Sequence, residues 1–288
     1  MNVEKDKVVA AVVTFNRLEL LKQSINALRN QSKKPDAILV VNNSSTDGTG
    51  EWLAEQEDLI VVTQENLGSS GGQYTSFKTC YELGYEWLWI MDDDVVPRKD
   101  CLEQIFANRE QKKVLAPLRY SPDGKPFEND TIEFNLSNPF ASIWVRVLST
   151  ADLKNKAVKA DGITFEGPFF HRDLVSEIGL PEKKFFIYAD DTEYFIRAQK
   201  AGYSMFVLTE AEMDRLLPAP PLEKNFTWKH YYVIRNIIAV DVLHSNFITR
   251  LLRPLFYTIK WMGRASNGDE RKTVFKALKD GYFYKSKN

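Results

Sequence analysis

Residues 8–13 (VVAAVV) are an unbroken apolar run, the signature of a strand buried on both faces. The period then lengthens, and Leu18, Leu21, Ile25 and Leu28 recur as one face of a helix. A second apolar run at 38–41 breaks into a dense group of turn formers, residues 42–48 (NNSSTDG). A short helix near 51–56 and a third strand at 59–63 follow. The loop 65–72 then opens a helix carrying Tyr74, Phe77, Cys80 and Tyr81, with Gly84 placed to end it. Residues 87–91 (WLWIM) form a fourth strand that runs directly into Asp92, Asp93 and Asp94. Strands alternating with helices at this spacing predict an α/β fold, a mostly parallel central sheet with helices on both faces. Ligands of such sheets bind beyond the carboxyl ends of the strands, and each of the polar loops falls at such an end.

Beyond Pro97 the alternation weakens. Residues 117–143 contain four of the twelve prolines and predict irregular structure with a hairpin. Strand-like stretches at 142–148 and 162–170 come next, then a short helix at 173–178. A helix from Asp190 to a stop at Gly202 and a last strand at 205–208 complete this part. Residues 218–221 (PAPP) read as a linker, and the chain from Trp228 onward as mostly helical.

Composition narrows the class. At 288 residues, with 44% apolar and 27% charged, the chain has the balance of a soluble globular protein of one large domain or two small ones. No run approaches the roughly 18 apolar residues of a spanning helix. The charged residues 1–7 pass straight into a strand, so no secretory signal is expected. Cys80 and Cys101, without CxxC spacing, predict free thiols in a reducing, cytoplasmic setting. The net charge of −1 conceals an asymmetry, because from His244 onward ten Lys or Arg stand against three acids, a surplus of +7. The basic residues interleave with Phe247, Leu251, Leu255, Phe256, Ile259 and Trp261. That pattern fits a helix lying in an anionic membrane interface, so that the chain would sit peripherally on the inner membrane face. It fits equally a C-terminal helix packed on the body, or on another subunit of a homo-oligomer, with its charges in water. The acidic remainder of the chain argues against nucleic acid as a partner.

Three features carry candidate chemistry. In an extended segment alternate residues point the same way, so Asp92 and Asp94 converge while Asp93 points elsewhere. Two such carboxylates suit Mg²⁺ or Mn²⁺, with substrate phosphates and water filling the remaining positions. Without a cation the group reads as a solvated acidic turn. Second, Gly68, Gly71 and Gly72 open a helix after Asn66, where backbone N–H groups and the helix N-terminus favour a phosphate; otherwise the loop is a flexible connection. Third, Asp190, Asp191, Thr192 and Glu193 start a helix. One of them is needed as a cap, and a second carboxylate there stays ionised and can take a proton from a substrate hydroxyl. His171, His230 and His244 show no zinc spacing, and no GxSxG is present for a serine hydrolase.

Taken in order, residues 12–17 (VVTFNR), 40–49 (VVNNSSTDGT), 66–72 (NLGSSGG) and 91–94 (MDDD) resemble the family 2 glycosyltransferases of GT-A fold. The likeness spans about residues 7–215. The triple aspartate, residues 190–194 (DDTEY) and residues 231–236 (YYVIRN) resemble in particular the bacterial galactofuranosyltransferases and their rhamnosyltransferase relatives. The resemblance implies a catalytic GT-A domain over 1–217 and a helical, basic region over 218–288. It implies that Thr14, Phe15, Arg17 and Asn43 line the nucleotide pocket, and that Asn66, Gly68, Gly71 and Gly72 approach the diphosphate and sugar. Asp93 would lie near the donor sugar or ribose, Asp92 and Asp94 would hold Mn²⁺ or Mg²⁺, and Asp191 would be the catalytic base. Asp190 and Phe169 would border the acceptor. Relatives place a metal-binding His after the strand that follows the base helix. Here that stretch, residues 208–215 (LTEAEMDR), has none. Asp214 is the expected substitute, with Glu212 or a folded-back His230 as alternatives. The implied reaction is an inverting transfer from a UDP- or dTDP-sugar to a glycan or lipid-linked acceptor of a bacterial surface polysaccharide, galactofuranose before rhamnose. A catalytically degenerate binding protein on the same fold is the alternative.

Overall fold

A computed structural model of the chain describes residues 6–218 and 226–286. Residues 1–5 of the charged N-terminal stretch and 219–221 of the proline-rich linker lie outside the described residues. The first apolar run is strand β1 (Val8–Thr14), and every one of its residues is buried, as a strand between two parallel neighbours requires. Helix α1 (Leu18–Arg29) turns Leu21, Ile25 and Leu28 onto the sheet. Strand β2 (Ala37–Asn42) then pairs with β1 in parallel, Val12 opposite Val40. Helix α2 (Thr49–Ala54), strand β3 (Leu59–Thr63) and helix α3 (Gly68–Glu82) lead to β4 (Trp87–Asp92) on the other side of β1. The order β3-β2-β1-β4 places a switch point between β1 and β4. A crevice therefore opens at their carboxyl ends, where Thr14 and Asp92 stand.

The second half completes the sheet less regularly. Strand β5 (Val95–Pro97), helix α4 (Cys101–Ala107) and strand β6 (Lys113–Tyr120) follow, then the hairpin β7 (Thr131–Phe134) and β8 (Trp144–Val147). Strand β9 (Ala157–Ala160) precedes β10 (Phe169–His171), which inserts antiparallel between β4 and β6. Helices α5 (Asp173–Ile178) and α6 (Asp190–Lys200) lead into β11 (Ser204–Arg215). Two differences from the sequence pattern have physical causes. Residues 113–120 form a full central strand despite Pro117, and the ladder to β11 slips between Leu208 and Glu212 where Pro117, which has no N–H to donate, is the last residue in register. The last strand is twelve residues long, because β11 pairs with β9 along its first half and with β5 along its second.

Side chains alternate between two cores. Val9, Ala11 and Leu88 meet Phe77, Phe170 and Tyr194 on one face, and Val8, Val12 and Trp89 meet Leu21, Leu102 and Phe169 on the other. Each fully buried large apolar side chain contributes about 1.5–3 kcal/mol. Cys80 and Cys101 are free and fully buried, one in each core. Beyond the sheet, α7 (Lys229–His244) packs Ile234 and Ile238 against Val274 and Ala277 of α9 (Gly268–Tyr282). Its Ala239 and Val240 pack against Phe185, Ala189 and Ile196 of the sheet-bearing body. Between α7 and α9 runs α8 (Phe247–Arg264), started by the Asn246 side chain, which accepts from the Thr249 N–H at 2.8 Å.

Candidate active site

The crevice at the switch point is a cavity of about 970 Å³, lined by the ends of β1, β4 and β11, the start of α3 and α6, and one face of α7. Its acidic wall begins where β4 ends. Asp92 accepts from the Gln73 side chain (2.9 Å). Asp93 points back to β1, accepting from the Thr14 hydroxyl (2.7 Å) and from Arg17 Nη1 (3.1 Å). Arg17 also reaches Asp94 (3.2 Å). Oxygens of Asp92, Asp94 and Glu166 lie within 4.8 Å of one another, the one such group among the described residues.

Glu166 arrives from a distant part of the chain. The backbone N–H of Gly167 donates to Ile90 (2.8 Å) and that of Ile90 donates to Pro168 (3.0 Å), so residues 166–168 run beside the end of β4. Gly167 has φ +105 and no room for a Cβ, which would sit 2.9 Å from Pro117. The Glu166 carboxylate is fixed through Oε2 by Arg119 (2.7 Å) and Arg215 (3.1 Å). Arg119 itself is fully buried and paired with Asp130 (2.7 Å).

Six carboxylates, Asp92, Asp93, Asp94, Glu166, Asp190 and Asp191, line this cavity with Arg17 and Arg215. Burial, reinforced by the charges of Asp94 and Glu166, pushes Asp92 well above the usual carboxylate range. Burial also raises Asp93 to about 6 against the opposing hydroxyl of Thr14 and charge of Arg17. Asp94 is raised as well, by burial first and the Glu166 charge second. Its Oδ1 and the Nη1 of Arg215 are buried with no hydrogen-bond partner among the described residues. An all-oxygen donor set with an unpartnered buried carboxylate oxygen is what a hard divalent cation takes, so these residues fit Mn²⁺ or Mg²⁺.

Across the cavity, Asp190 and Asp191 begin α6 after an unusual turn. Phe186, Tyr188 and Ala189 have φ of 66, 71 and 62°, a left-handed conformation that L-residues avoid. Helix α7 holds this turn in place. The Asn236 amide donates to the carbonyls of Phe185 (3.0 Å), Ile187 (2.8 Å) and Tyr188 (2.8 Å), and Arg235 donates to Lys184 (2.8 Å) and Phe185 (3.0 Å). From the other side the Ser70 N–H donates to Phe186 O (3.1 Å), and Gly68 lies so close that a Cβ would fall 2.1 Å from that oxygen. Asp191 Oδ1 accepts from the Thr192 N–H (2.6 Å). Burial, with the Asp190 charge second, raises Asp191 to about 7.

Residues 10–179, more than half of the chain, match the family described as Glycosyl transferase family 2. The chain belongs to that family. Among curated proteins, this glycosyltransferase family 2 chain is 27% identical to a galactofuranosyltransferase, GlfT1 of Mycolicibacterium smegmatis, over 205 residues, 68% of this chain and 66% of that protein. It is 23% identical to the O-antigen chain rhamnosyltransferase WbaN of Salmonella anatum over 192 residues, 65% of this chain and 59% of that one. The chain thus spans 59 to 66% of the length of these relatives, less than two thirds in both cases. Its fold is that of a solved structure of GalNAc-T7 with UDP, GalNAc and Mn²⁺, with a TM-score of 0.66 at 11% identity, over 96% of this chain and 55% of that one. The GT-A architecture expected of the family is therefore the one observed.

Of the residues singled out in this family 2 sequence, Thr14, Phe15, Arg17, Asn43, Asn66, Gly68, Asp92, Asp93, Asp94, Asp190 and Asp191 all line the one cavity. Others do not. Gly71 and Gly72 lie in the first turn of α3, where a Cβ would meet Leu67 Cβ and Val13 Cγ1 at 2.3 Å each. Gly72 is small to let the helix close on β1 and Gly71 to let Leu67 pack against the helix start, and neither lines the cavity. Phe169 is 1% exposed and stacks on Trp87 (5.2 Å) in the core, because its position on β10 faces away from the cavity, so it offers nothing to an acceptor. Asp214 is paired with Arg98 (2.8 Å), which also holds Glu212, outside the carboxylate cluster. His230 stacks on Phe226 and accepts from the Thr227 N–H (2.8 Å). The acid that joins Asp92 and Asp94 is instead Glu166, well outside residues 208–215, and sequence reasoning missed it together with Arg215. The only local trace of it is an acid directly before Gly167 and Pro168.

Proposed function

We propose that this chain is an inverting glycosyltransferase that moves a sugar, galactofuranose by preference, from a nucleotide-sugar donor to a hydroxyl of a glycan or lipid-linked acceptor. One observation carries the reading: Asp92, Asp94, Glu166 and Asp191 share a single cavity with two arginines. On the donor side, the half-exposed ring of Phe15 offers a stacking surface for a base. Arg17 and Arg215 offer charge-assisted hydrogen bonds to phosphate. Asp92, Asp94 and Glu166 are the residues that would hold Mn²⁺ or Mg²⁺. Once bound, the cation neutralises charge on the departing nucleoside diphosphate. Asp191 is assigned as the base, since a carboxylate raised to about 7 accepts a proton efficiently near neutral pH. It takes the acceptor hydroxyl proton as that oxygen bonds to the anomeric carbon and the bond to the diphosphate breaks, inverting the centre.

The preference for galactofuranose rests on the 27% likeness to GlfT1, and the likeness to WbaN supports rhamnose as the second reading. Calorimetric titration with UDP and dTDP, each with and without Mn²⁺, separates them. We expect Mn²⁺-dependent binding of UDP. Binding of dTDP alone would move the assignment to rhamnose, and no binding of either would leave a non-catalytic protein on this fold. Asp191→Asn should bind donor nucleotide as the wild type does but transfer sugar about 10²–10⁴-fold more slowly. Undiminished turnover in that variant would remove Asp191 from the role of base.

A further inference from the structure

Helix α8 is inside out. Ile248, Leu251, Leu255 and Ile259 recur every three or four residues along one side, and all are 44 to 68% exposed. The opposite side carries Thr249, Arg253 and Thr258, all buried. Arg253 is 1% exposed, pairs with buried Asp241 (2.7 Å) and donates to the carbonyls of Asn135 (2.9 Å) and Asn138 (2.8 Å). A helix on a soluble domain normally turns its apolar side to the core; here the polar side is turned in and locked by a buried ion pair. The apolar side also continues beyond the helix. Phe140, 76% exposed and on the loop whose carbonyls Arg253 holds, packs its ring 5.2 Å from that of Phe256.

We propose that this face docks the protein on an anionic lipid surface, with α8 lying in the plane of the interface. Charge selects the occupant. Arg250, Lys260 and Arg264 are exposed on the same helix, within a segment that carries +7. A second copy meeting this face about a two-fold axis would bring the same cations together. An anionic headgroup layer instead accepts the apolar stripe and the cations at once, the long basic side chains reaching up to the phosphates. Among the described residues no helix is long and apolar enough to cross a membrane, so α8 lies on the bilayer rather than through it. The inference does not depend on the reaction assigned to the cavity.

The test is flotation of the full-length chain with vesicles of phosphatidylcholine, with and without phosphatidylglycerol, at low and high salt. The wild type should float with the phosphatidylglycerol vesicles and less so as salt is raised. Leu255→Glu/Ile259→Glu should reduce flotation about tenfold or more with an unchanged melting temperature, both positions being exposed. Lys260→Glu/Arg264→Glu should abolish the preference for phosphatidylglycerol, which keeps the test decisive should the first variant fold poorly. Failure of the wild type to float, or equal flotation of all variants, overturns the proposal. So does a wild-type dimer in sedimentation equilibrium that Leu255→Glu/Ile259→Glu splits into monomers, which would assign the face to a second copy.

Discussion

Glu166 shows how a single side chain becomes available to a cation. Arg119 and Arg215 both pair with its Oε2, which fixes its direction, and an oxygen of it lies within 4.8 Å of Asp92 and Asp94. Removing its charge should therefore weaken metal binding, and it also leaves Arg215 without that ion-pair partner. We expect Glu166→Gln to lower Mn²⁺ affinity about tenfold or more, read from the paramagnetic resonance of free Mn²⁺ in the absence of any substrate. Asp214→Asn, which changes only an ion pair with Arg98, should leave that affinity as it is. Equal losses in both would return Asp214 to the ligand set. The pair Asp92 and Asp94 was legible in the sequence as acids set close together at the end of an apolar run, although the strand stops at Asp92 and a turn over residues 93–94, not strand alternation, brings them together. Glu166 was not, since it is brought to them by the antiparallel insertion of β10, a contact across more than seventy positions. Phe169, put forward by resemblance alone, misled because a resemblance does not show which face of β10 a residue occupies, and here it turns onto Trp87 in the core.

At the scale of elements, the turn before α6 depends on α7. Three left-handed residues outside glycine cost on the order of 1–3 kcal/mol each, and they persist because Asn236 and Arg235 satisfy the carbonyls that the turn exposes. The C-terminal helices are thus part of what aims Asp191, and Asn236 is a positioning residue. Asn236→Ala should lower kcat about tenfold or more while leaving UDP–Mn²⁺ affinity close to that of the wild type, a split that parallel kinetics and calorimetry would reveal. A loss in nucleotide affinity alone would contradict it. The motif at residues 231–236 stood out by resemblance, yet its work could not be read there, because a sequence does not show that a helix amide will meet three carbonyls some fifty residues away. The β1–β4 half was predictable from its apolar runs. The β6 strand was hidden by Pro117, and β11 looked short because its second half is polar and pairs with β5.

For the molecule as a whole, crowding acids in one cavity ties stability to pH and to metal. Where a carboxyl has its pKa raised in the folded state, the folded form binds the proton more tightly than the unfolded chain does, so raising the pH through that window destabilises the fold. Asp93 alone, moved from 3.8 to about 6, accounts for about 3 kcal/mol, and Asp92, Asp94, Asp190, Asp191 and Asp241 act in the same direction. The melting temperature of metal-free protein should fall as the pH rises from about 5 to 7, and Mn²⁺ should offset most of that fall at neutral pH. A flat or rising profile without metal would show that the carboxylates are compensated by other means. The two thiols carry a different consequence. With Cys80 and Cys101 sealed in separate cores, and burial holding both pKa values high, the native chain presents no thiolate to an alkylating dye. A cysteine placed at position 259 would be the sole site of labelling, and a polarity-sensitive fluorophore there would turn the outer face of α8 into its own optical reporter.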